Sequence, residues 1–230
     1  TRPAQVRNLE KSRSLSLEVT GIENLMQEAR KKLSASDLAS LDALTSSMAN
    51  DSLATLEMLS SKWYELGQAA IAGHYAEQLA DIRKDESSWS IAGTTYLLGL
   101  KSATDEKTRQ YCKAKALSAF EKAISLNPGN VDHKINKALC FVELPDEGNP
   151  MQGILQLREL NQKHPDNVNV MVQLARLALK TNQLERAKER LQQALEREPD
   201  NNTANCLMVE TLDALGDKVN AAKYRERCKK

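Results

Sequence analysis

Apolar residues along this chain recur three and four apart almost from end to end, the spacing of one face of an α-helix. Ile22, Leu25, Met26, Ala29 and Leu33 mark a first stripe, introduced by Thr20 and Glu23 at the spacing of a capping box. Leu38, Leu41, Leu44 and Met48 mark a second, begun by Ser34 and Ser36. Leu53, Leu56, Leu59, Trp63 and Leu66 mark a third, opened by Asn50-Asp51-Ser52 and closed by Gly67. No segment alternates with the period of two that a strand requires. Residues 1–16 lack a stripe and carry Arg2, Arg7, Lys11 and Arg13 against Glu10, which reads as a basic, flexible lead-in. Residues 17–50 then form an N-terminal helical pair, and residues 51–230 a longer array.

The second half repeats. Ala116, Phe120, Ala123 and Pro128 are spaced four, three and five apart, as are Gly153, Leu157, Leu160 and Pro165, and Ala187, Leu191, Ala194 and Pro199. A last copy supplies Ala221, Arg225 and Cys228. Gly153, Ala187 and Ala221 follow at intervals of 34 residues. Small and large residues on one face let neighbouring helices approach and interlock. Proline then stops the helix and fixes the turn. Each such helix follows a partner with its own pattern, clearest in Trp89, Ala92, Gly93 and Tyr96. The pattern recurs in Met171, Leu174, Ala175 and Ala178, and is kept in part by Ala138 and Phe141 and by Met208, Val209 and Leu212.

These residues make the chain resemble the tetratricopeptide repeat family over roughly residues 51–230. The resemblance implies an all-α, right-handed α-α superhelix of about five helix pairs, preceded by two extra helices. The stretch from Tyr96 to Ala116 is too long for the pattern, so its helix pair is lengthened. Three extra residues precede Gly153, where Asn149 and Pro150 read as N-cap and first-turn residues. In this family the first helix of each pair lines a concave groove. That register places Tyr64, Ser90, Ile91, Leu98, Ile135, Asn136, Leu139, Val172, Gln173, Arg176, Cys206, Leu207 and Glu210 on the groove side. Some members hold acidic C-terminal peptides with Lys, Asn and Arg. Of the slots here (Ser90, Thr94, Ile135, Leu139, Val172, Arg176), Arg176 alone has that chemistry. The implied function is a non-catalytic scaffold for protein or peptide, with a self-associating array and a helical-repeat RNA binder as alternatives. The layout further resembles bacterial repeat proteins with a single N-terminal membrane anchor. That implies a domain of the cell envelope, with the periplasmic side favoured and the cytoplasm as the alternative, reaching a membrane through an anchor upstream of Thr1.

Composition narrows the chemistry. A net charge of +1 gives no long-range field for nucleic acid, and the alternative RNA reading lacks a basic stripe along the groove. No phosphate-binding loop, nucleophile elbow or HExxH motif is present, so neither enzyme activity nor a cofactor is expected. Cys112, Cys140, Cys206 and Cys228 have no metal-ligand spacing with each other or with His74, His133 and His164. They are expected to be four free thiols packed in helices, and His133 and His164 to take surface or capping roles in repeat turns. Asp81, Asp85, Glu86, Asp146 and Glu147 are expected on solvated faces and caps. The basic residues near the C-terminus, with Arg225 in the slot of Phe120, Leu157 and Leu191, suit the open end of an array.

Overall fold

A computed structural model describes residues 21–49 and 51–228. The expected lead-in over residues 1–16, Thr20 of the capping box, and Asn50 lie outside them. Among the described residues the chain is all helix, with an isolated bridge at Asp146–Asn149 and no strand. Helix α1 occupies residues 21–30. There follow α2 (Ala35–Ser47), α3 (Ser52–Glu65), α4 (Ala69–Arg83), α5 (Glu86–Ser102), α6 (Glu106–Leu126), α7 (Val131–Glu143), α8 (Gln152–Lys163), α9 (Val168–Lys180), α10 (Leu184–Arg197), α11 (Asn202–Ala214) and α12 (Lys218–Arg225). The fold class read from the sequence is the one found.

Short polar side chains start these helices. Ser34, Asp51, Asp85, Asp105, Asn130, Asn167, Asn201 and Asp217 each accept a hydrogen bond from a backbone N–H of the first turn, satisfying a donor that has no partner in the helix. Gly67 and Gly216 follow helix ends at φ +73° and +80°, where a Cβ would be strained. One expected cap is corrected. The N-cap of α8 is Met151, without a side-chain cap bond. Asn149 instead donates its N–H to the Asp146 carbonyl and accepts from Gln152 N–H, closing a turn.

The described residues divide into two compact units, one up to Leu144 and the other from Pro145. In the first, α1 and α2 bury Ile22, Ala29 and Leu41 against Leu59, Trp63, Ile71 and Ala72 of α3 and α4. The expected lengthening is present, since α5 has 17 residues and α6 has 21. Glycines set the helix spacing here. A Cβ on Gly73 would stand 2.6 Å from the Tyr96 ring, and one on Gly93 would stand 2.6 Å from the Phe120 ring. Both rings are fully buried. The aromatic side chains thus fill space that neighbouring helices leave by lacking a side chain.

The second unit is more regular. Val168, Met171, Val172 and Ala175 of α9 pack with Leu191 and Ala194 of α10, Ala204, Met208 and Leu212 of α11, and Ala221 of α12. Arg225 sits exposed in the slot where Leu191 is buried, and its guanidinium bonds both Asp213 carboxylate oxygens at 2.7 Å.

Candidate functional site

The first helix of a hairpin presents one face to its partner and leaves another free. On α5 the buried face holds Trp89, Ala92, Gly93, Tyr96 and Leu100. The opposite stripe holds Ser87, Ile91, Thr94 and Leu98 at spacings of four, three and four, all exposed. Ile91 is 55% and Leu98 37% exposed, and on α3 Tyr64 is 53% exposed. Large apolar side chains in water gain free energy when a partner covers them.

The other expected groove residues divide. Ile135, Leu139 and Val172 are core residues with 3%, 8% and 3% exposure, so α7 and α9 keep them from any ligand. They are large apolar residues on the flank between the buried stripe and the groove face, and packing draws them inward. Ser90, Asn136, Gln173 and Cys206 are half-buried. Arg176 and Leu207, also half-buried, and the exposed Glu210 come together with Leu179 and Lys180 around a cavity of ≈ 340 Å³ between α9 and α11. Arg176 Nε is enclosed there with no hydrogen-bond partner. The cavity offers both signs of charge beside two leucines.

Two charged groups do structural work that spacing alone did not reveal. Glu86, expected on a solvated face, accepts hydrogen bonds from Asn127 Nδ2 and Asn130 Nδ2 at 2.8 Å, and lies 2.6 Å from His133 Nε2. Those bonds, Asn127 and Asn130 first and then His133, hold the Glu86 carboxyl down at about 2. His133 is 3% exposed, which corrects the surface half of its expected surface or capping role. The reason is that the start of α5 needs an anchor on the α6–α7 turn, and a carboxylate with three polar partners supplies it. Glu77 plays a similar part, accepting from Tyr96 Oη at 2.6 Å and pairing with Lys115 at 3.3 Å. Asp85 is the α5 cap, as expected of it.

The cysteines are corrected most. Cys112 and Cys140 are buried free thiols, each pushed up to about 12 by loss of hydration. Cys206 and Cys228 are joined in a disulfide. No group of three or more metal-ligating side chains occurs among the described residues.

What emerges is a helical-hairpin repeat with exposed apolar and mixed-charge positions on the first helices of its pairs, the class of a repeat-built binding domain. Residues 146–221 match the family described as tetratricopeptide repeat. That match lies within the second unit. A tetratricopeptide repeat and J domain-containing co-chaperone of Fusarium oxysporum f. sp. lycopersici is 28% identical over 179 residues, covering 74% of this chain. The chain matches 33% of that relative's length. A thermophilic tetratricopeptide repeat protein of Thermus thermophilus superimposes with a TM-score of 0.55 at 19% identity, over 87% of this chain and 98% of that one, a likeness of fold.

Proposed function

We propose that the protein is a non-catalytic scaffold that binds another polypeptide through the free faces of its first-of-pair helices. The observation that carries this reading is the α5 stripe, where Ile91 and Leu98 stand exposed on a helix whose other face is fully packed. Covering the two side chains would contribute roughly 1.5–3 kcal/mol each. The cavity of Arg176, Leu207 and Glu210 would orient a ligand by charge, since polar groups around an apolar contact fix direction more than affinity. We further propose that the domain works at a bacterial envelope, tethered by an upstream anchor. A disulfide supports a compartment that keeps thiols oxidised. No described helix is long and apolar enough to cross a membrane.

The test is site-specific photo-crosslinking in the native host. A photoreactive residue at Ile91 or at Leu98 should capture the same polypeptide. The same residue at Ile82, an equally exposed apolar position on α4, should not. Equal capture at all three positions would sink the reading. Capture of a second copy of this chain at Ile91 would replace it with the self-associating array.

A further inference from the structure

The last hairpin departs from the one before it at two matched positions. One 34-residue interval carries Val172 of α9 onto Cys206 of α11, and Ala194 of α10 onto Cys228 just beyond α12. In the α9–α10 hairpin both positions are buried apolar residues of one core. In the last hairpin the same two positions are a disulfide spanning 22 residues. A third matched position changes as well, because Leu191, buried, becomes Arg225, exposed.

These replacements share a physical cause. Inside an array, the second helix of a hairpin is held because further repeats cover its apolar face. In the α11–α12 hairpin that face is exposed at Arg225, where a Leu would be an unpaired apolar surface. Removing that surface also removes the hold. Helix α12 has 8 residues, and Ala221 is its one buried side chain among the described residues. A helix so short is marginal without tertiary support. The Arg225–Asp213 pair is exposed on both sides and adds little. A covalent bond between α11 and the residue just past α12 needs no burial, so it serves where packing cannot.

We propose that Cys206 and Cys228 form an oxidation site whose closure fixes α12 onto α11 as a covalent clamp of that hairpin, and that the partner closing it is a disulfide-bearing thiol oxidase. In the first step one cysteine thiolate attacks a sulfur of the oxidase disulfide, forming a mixed disulfide and releasing one oxidase thiolate. In the second, the other thiolate of the pair attacks the sulfur of its neighbour in that mixed disulfide and expels the second oxidase thiolate. Two electrons pass to the oxidase, and the two protons lost by Cys206 and Cys228 end on its thiols. Cys112 and Cys140 take no part, since both are buried in the first unit. This proposal stands independently of the scaffold reading.

The test uses the full chain exported to an oxidising compartment. Alkylation after denaturation should label two cysteines, Cys112 and Cys140, and reduction should raise the number to four. Peptide mapping should join Cys206 to Cys228. Hydrogen exchange over residues 218–228 should quicken roughly a hundredfold on reduction, following the loop-closure entropy of such a bond. It should quicken equally in a Cys206→Ser/Cys228→Ser variant and stay slow in Cys112→Ser/Cys140→Ser. The reduced wild type, identical in sequence, separates loss of the bond from a failure to fold. Four labelled cysteines before reduction, or the same exchange with and without the bond, would overturn the clamp. A purified C-x-x-C thiol oxidase in its disulfide form should close the bond in reduced protein, consuming one oxidase disulfide per chain. Closure by glutathione disulfide at the same rate would overturn the oxidase as partner.

Discussion

In the first unit, Gly73 and Gly93 let the rings of Tyr96 and Phe120 lie where a Cβ would otherwise stand. In the second, Leu191, Ala194, Met208 and Leu212 make an ordinary aliphatic seam. The first unit also adds polar ties between elements, Glu86 to the α6–α7 turn and Glu77 to Tyr96 and Lys115. Among the described residues the second shows fewer such ties, as Arg197 to Asp166 and Arg225 to Asp213, and adds a disulfide. Repetition explains the difference. Where each hairpin meets a near copy of itself, the same small and large residues fit every time. Where helices are lengthened and registers are irregular, each contact needs its own solution, and glycine–aromatic pairs and carboxylate clamps supply it.

The contrast can be broken by substitution. The largest effect is expected from Leu191→Ala, which opens a cavity in a fully buried seam and should cost the second unit about 2–5 kcal/mol in urea unfolding followed by hydrogen exchange. Next comes Cys206→Ser/Cys228→Ser, expected to cost that unit about 3 kcal/mol by loop-closure entropy and to leave the first unit unmoved. Gly93→Ala is a test of sign. In an exposed helix this change stabilises by about 1 kcal/mol. Here the new methyl meets a buried ring that cannot retreat, so the first unit should lose about 1–2 kcal/mol. Both tryptophans lie buried in that unit, so their fluorescence reports it alone.

The fourth prediction is visible only in acid. The Glu86 carboxyl is held at about 2, against an ordinary value of 4.5. Its contribution is therefore complete above pH 4.5 and fades as the pH falls from 4.5 towards 2. Glu86→Gln should flatten that limb of the first unit's stability curve and leave the second unit's curve unchanged. The smallest effect on stability is expected from Ile91→Asp, within about 0.5 kcal/mol, because the side chain touches water rather than core.

Periodicity made the helices and the repeat legible, because a 34-residue interval of small residues has few physical readings besides stacked hairpins. It also singled out Arg225, which is exposed where Leu191 is buried. Exposure at the expected groove positions was legible in part. Tyr64, Ile91 and Leu98 lie exposed, but Ile135, Leu139 and Val172 occupy flanking positions where a small rotation of the helix decides between water and core. The Glu86 clamp joins residues more than forty positions apart, beyond the reach of any local pattern. The disulfide was readable in principle, from the coincidence of Cys206 and Cys228 with the packed pair Val172 and Ala194. Widely spaced cysteines in a helical chain otherwise point to buried thiols, as Cys112 and Cys140 are.

Binding through the α5 face is tested most directly by calorimetry on the polypeptide captured at Ile91, comparing wild type with Ile91→Asp/Leu98→Asp at matched helicity. Replacing both apolar side chains together should weaken affinity by about a hundredfold or more. Unchanged affinity in a fully folded variant would contradict the assignment of that face as the binding surface.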